Sequence, residues 1–161
     1  MKELCFLDRA YGVAATELYS QVPWQWFFTG SAGYGITVDT LEAIFKKWRS
    51  KVAITGSLQV ATMGVIVPKG HNHLHAMLAG QDATGRTLED IAEWIPEFEN
   101  DWKRLAKNSA KIVPVRDAGA VSYIVDDNLT YKANVRELIP INTKLMRKLS
   151  AKLRRTEQNV Q

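Results

Sequence analysis

The chain has 161 residues, 46% of them apolar, and 21 lysines and arginines against 17 acids. That length predicts one domain with a single core. Its apolar runs, such as Val22 to Gly30 and Val60 to Val67, fall far short of a membrane span, so a cytoplasmic protein with no membrane partner is expected. The lone Cys5 excludes an internal disulfide and a cysteine-built zinc site, and its small apolar side chain reads as core.

The net charge of +4 is unevenly placed. Residues 137 to 161 carry Lys144, Arg147, Lys148, Lys152, Arg154 and Arg155 against Glu137 and Glu157, so the first 136 residues are neutral as a whole. This divides the chain into a body, 1–136, and a basic helical C-terminal tail, 137–161. The six bases are candidate DNA contacts, because each phosphate neutralised adds affinity; a solvated amphipathic helix is the equal alternative.

In chain order, Val22 to Ser31, with Trp24, Trp26, Phe27, Phe28 and Thr29, has the aromatic content of a strand. Ser31 to Gly35 reads as a loop, after which Thr37 or Asp39 caps a helix with Leu41, Ile44, Phe45 and Trp48 at helical spacing. Val60 to Val67 and His71 to Leu78 form a hairpin about Pro68-Lys69-Gly70. Thr87 with Asp90 opens a helix through Leu88, Ile91, Ile95, Phe98, Trp102 and Leu105, which Pro96 kinks or divides. Ala110 to Val115 is a strand kept to an edge or end by Pro114. Asp117 caps a helix over Ala118 to Leu129, and a last helix runs from about Asn142 to Arg155. The order β, α, β, β, α, β, α predicts an α+β fold: an antiparallel sheet of four to five strands in a split β-α-β arrangement, with helices on one face.

All three histidines fall within five residues, at His71, His73 and His75. Alternate residues of a strand share a face, so His73 and His75 aim two imidazoles at one point while Leu74 and Ala76 pack beneath. That suits half of a divalent-metal site; a solvated strand is the bland alternative.

The ordered set of an aromatic strand ending Phe27-Phe28-Thr29, the His73-Leu74-His75 strand, and a helix with Tyr123 in Asp117-Ala118-Gly119-Ala120-Val121-Ser122-Tyr123-Ile124-Val125 resembles the HUH endonucleases. The closest likeness is to the rolling-circle replication initiators of plasmids and single-stranded DNA phages, over roughly residues 22 to 132. The resemblance implies an HUH, ferredoxin-like fold. It also implies His73 and His75 as metal ligands, Tyr123 as the nucleophile on a DNA phosphate, and a covalent 5′-phosphotyrosine that is later rejoined. The implied partners are a single-stranded DNA origin and host replication proteins such as a helicase. Two imidazoles favour Mn²⁺, although Mg²⁺ also serves the family.

Two positions depart from that pattern. Asp126 and Asp127 stand where initiators often carry a lysine, and Val60 to Val67 lacks the acid that would complete the metal site. Asp127, one turn after Tyr123, is the expected third ligand, as in the single-tyrosine transposases, with Asp126 and His71 behind it. The alternatives are such a transposase or recombinase, a catalytically silent single-stranded DNA-binding module, and a hydrolase that uses water in place of tyrosine.

Overall fold

The computed structural model describes residues 6–68, 70–117, 119–131 and 138–160. Lys69 of the expected hairpin turn and Ala118 of the expected helix start lie outside them. Five antiparallel strands form one sheet: β1 (Trp26–Ser31), β2 (Gln59–Val67), β3 (His73–Gln81), β4 (Ala110–Pro114) and β5 (Ile139–Ile141), in the order β4-β1-β3-β2-β5. The helices are α1 (Phe6–Ser20), α2 (Val38–Gly56), α3 (Ile95–Ala106), α4 (Gly119–Tyr131) and α5 (Thr143–Asn159). β1, α2 and β2 form the split unit, with β3 inserted between and antiparallel to both strands. The α+β class and the antiparallel sheet are those expected.

Local signals fix most boundaries. Thr37 caps α2, its hydroxyl accepting from Thr40 N at 3.2 Å. Thr87 and Asp90 make the reciprocal capping box, with Thr87 N donating to the Asp90 carboxylate at 2.8 Å. Pro96 divides rather than kinks: a 3-10 segment, Leu88–Trp94, ends there, and α3 starts afresh with the proline in its first turn, where no N–H is needed. Pro114 ends β4 on the sheet edge.

The helices do not lie on one face, and this corrects the expectation. α2 and α3 cover one side, where Phe28 stacks on Trp48 at 4.2 Å and meets Trp102 edge-on at 4.9 Å. α1, α4 and α5 supply a second core on the other, with Ala15, Val121, Ile124, Val125, Leu145, Met146 and Leu149 packed on Met63, Val65 and Met77. β2 is accordingly buried from Val60 to Val67, without the in-and-out alternation of a half-solvated strand.

The division into body and tail is corrected too. β5 pairs with β2 through Thr62 to Gly64, and α5 buries Leu145, Met146 and Leu149. Residues 138–150 therefore contribute a strand to the same sheet and side chains to its second core.

Candidate active site

Strand parity places His73 and His75 on the face that carries the second core, beside Phe27, Thr29 and Ser31 of β1. Thr29 pairs with His75 and Ser31 with His73. The Thr29 hydroxyl lies 3.2 Å from His75 Nδ1, which fixes the ring and turns Nε2 toward α4. The two imidazoles stand at right angles with centroids 5.2 Å apart, and His73 Nδ1 lies 3.1 Å from the His71 carbonyl oxygen.

α4 crosses this end of the sheet. Its Val121, Ile124 and Val125 are buried, while Tyr123 and Asp127, one turn apart, meet the histidines. The Tyr123 ring packs edge-on against His75 at 5.3 Å and against Phe27 at 6.0 Å, yet the residue stays 50% exposed. Asp127 Oδ2 lies 3.9 Å from His75 Nε2. That exceeds a hydrogen bond, and this buried oxygen has no hydrogen-bond partner among the described residues.

The electrostatics follow from burial. His75 is only 8% exposed, and desolvation, with the neighbouring His73 adding to it, lowers its pKa to about 4. The Asp127 carboxyl is pushed up, again first by burial, with His73 opposing and Asp126 reinforcing the shift. Near neutral pH His75 is therefore an uncharged imidazole, and the 3.9 Å contact is not an ion pair.

The fit to a divalent cation can be judged from these atoms. A neutral imidazole nitrogen faces a buried carboxylate oxygen that lacks a partner, at a separation two bonds of about 2.0–2.2 Å to one ion could bridge. His73 stands alongside. Even so, among the described residues no three histidine, cysteine or acidic side chains are already arranged to hold a metal ion. His75 and Asp127 fit as an open pair of ligands; further coordination would fall to His73, water and substrate oxygens.

The expected residues divide cleanly. His73, His75, Tyr123 and Asp127 come together. Asp126 points away, into the groove between α1 and α4 that Arg9, Gly12 and Ser122 also line. His71 lies outside β3, which starts at His73, and is exposed. Of the six α5 bases expected to contact DNA, three line cavities formed without any of the four residues that come together. Lys148 lines a cavity with Gln59 and Gln81, while Arg147 and Arg154 line another with Tyr19 and Val22. Gln59 and Gln81 pair at the opposite end of β2 and β3, about 20 Å along the strand from His75.

Two contributors were not singled out from sequence. Thr29 orients His75, and Lys111 of β4 pairs with Thr29, so Lys111, Thr29 and His75 form one row across three strands on the site's face. Strand periodicity gives each its face, but only sheet register puts them in line. No known protein family, no curated protein and no solved structure matches the chain. No helix among the described residues is long and apolar enough to cross a membrane.

Proposed function

We propose that the protein is a metal-dependent endonuclease that nicks and rejoins single-stranded DNA, as a replication initiator does at an origin, with Tyr123 as the nucleophile. The observation that carries this reading is the half-exposed Tyr123 ring held edge-on at 5.3 Å from the buried His75, with Asp127 one turn behind it.

An unassisted phenol with a pKa of about 10 is a weak nucleophile at neutral pH, and a phosphodiester repels its anion. In the step proposed, the Tyr123 oxygen bonds to phosphorus, and the bond from phosphorus to the 3′ oxygen breaks in line. The phenolic proton leaves to the solvent that reaches the ring, and the departing 3′ oxygen takes up a proton to become a hydroxyl. Rejoining is the reverse. His75, Asp127 and His73 would hold Mn²⁺ or Mg²⁺, which when bound draws charge from the scissile phosphate and orients it. Thr29 keeps His75 Nε2 on that target, and Phe27 restricts the Tyr123 ring from beneath.

Labelled single-stranded DNA incubated with the protein and Mn²⁺ is expected to yield an adduct that survives denaturation and is absent in Tyr123→Phe. An undiminished adduct in that variant overturns the assignment. Cleavage without an adduct points to water as the nucleophile. The Asp127–His75 contact favours one second reading, a single-tyrosine transposase, whose metal site takes a polar ligand from the nucleophile helix. Preference for hairpin ends over an unstructured strand separates the two.

A further inference from the structure

Tyr34 is the most exposed large apolar residue described, at 95%, yet the loop that carries it is held on every side. Ala32 N donates to the Asn72 carbonyl at 2.8 Å, Gly33 N to the Ala106 carbonyl at 2.7 Å, and the Asn72 side-chain amide to the Ile36 carbonyl at 2.9 Å. Asn108 donates to the Ala32 carbonyl at 3.1 Å. The two flanking glycines serve this fixation. A Cβ at Gly33 would come within 2.9 Å of Lys107 Cβ and 3.1 Å of the Ala106 oxygen, and Gly35 has φ +80°. An aromatic ring is thus held in water by an anchored loop, beside the strand residues that lead into the histidines. Core packing does not account for it.

The same end of the sheet carries an exposed cation on the site's own face. Lys111 sits opposite Thr29, which in turn sits opposite His75, so its Cα is two strands, about 10 Å, from that of His75. An extended lysine reaches back over much of that gap. Lys148 of α5 instead lines a cavity with Gln59 and Gln81 at the other end of the sheet, and Arg147 and Arg154 line one with Tyr19 and Val22.

We propose that single-stranded DNA reaches the site across β1 and β4, with one base stacked on Tyr34 and a phosphate next to the scissile one held by Lys111. This rests on the nicking reading for the identity of the ligand. Every base has a face to stack, so Tyr34 contributes affinity without reading sequence, whereas Lys111 contributes a salt-dependent phosphate contact.

The test measures binding of a fluorescein-labelled single-stranded thymidine oligonucleotide to the full chain in chelator, where no cleavage enters. Tyr34→Ala is expected to weaken binding roughly 5- to 100-fold, and Tyr34→Trp to retain it. Lys111→Gln is expected to flatten the dependence of log affinity on log salt by about 0.7, the loss of one phosphate contact. Lys47→Gln, an exposed cation on α2, is expected to change neither quantity. Full affinity in Tyr34→Ala, an unaltered salt slope in Lys111→Gln, or a larger loss in Arg147→Gln than in Lys111→Gln overturns the track. All these residues are exposed and lie outside the apolar cores, and unchanged thermal melting of each variant excludes misfolding as the cause. Binding with this pattern but no adduct under Mn²⁺ removes the nicking reading and leaves the track; an adduct with unaffected Tyr34 and Lys111 variants does the reverse.

Discussion

His75 and Asp127 tie the stability of the fold to pH, with opposite signs. Between about pH 6.5 and 4 the unfolded chain takes up a proton at position 75 that the folded chain excludes. Stability from this ring is fully present above pH 6.5 and falls as pH drops through that window, by on the order of 3 kcal/mol. Asp127 acts in the opposite sense, because its raised pKa means that the penalty for its charge is relieved on acidification. Urea unfolding in chelator at a series of pH values is expected to show the loss in the native chain and a shallower one in His75→Asn. Asp127→Asn removes a buried charge with no hydrogen-bond partner for Oδ2, so at pH 7 it is expected to gain about 1 kcal/mol, a few degrees in Tm. It is also expected to need more Mn²⁺ for adduct formation; an unaltered metal requirement takes Asp127 out of the site. Such a gain would mean that the fold does not need the Asp127 charge.

Among the elements, the legible ones announced themselves with short-range signals. α2 and the segment after Thr87 have hydroxyl caps, β4 has its edge proline, and β1 and β2 are aromatic or β-branched. α1 and β5 gave no such signal. The α1 sequence mixes small and polar residues such as Ala10, Gly12, Ala14 and Thr16, and packs chiefly on α4 rather than presenting a strong apolar stripe. β5 is three residues long with Pro140 at its centre, and it pairs only because β2 has an open edge there. The element most sensitive to substitution is α2, since Trp48 contacts Phe28, Phe45 and Trp102 and donates its indole N–H to the Phe98 carbonyl at 2.8 Å. Trp48→Ala is expected to cost about 3–5 kcal/mol in chemical denaturation, while Trp48→Phe, which keeps an aromatic ring but leaves a smaller void and loses the bond to the Phe98 carbonyl, costs less.

For the whole molecule, two cores on opposite faces of one sheet mean that neither end of the chain is dispensable. A chain ending at residue 136 loses β5 and α5, and with them Leu145, Met146 and Leu149 from the second core. That truncation is expected to aggregate or lose cooperative melting. A soluble, cooperatively folded 1–136 fragment would restore the view of a separate tail.

Composition and local pattern by themselves determined the α+β class, most strand and helix positions, and the pairing of His73 with His75 on one face. These properties depend on residues within a few positions of one another, where a period of two or 3.6 sets the geometry. Only the tertiary structure decided that the face of α4 carrying Tyr123 and Asp127 docks against His75, that Thr29 and Lys111 align with His75, and that Lys148 of the basic helix lies beside Gln59 and Gln81 at the far end of the strands. Each of these depends on which strands pair, in what register, and on which face the following helix docks. Those are contacts between distant segments, which no local periodicity encodes.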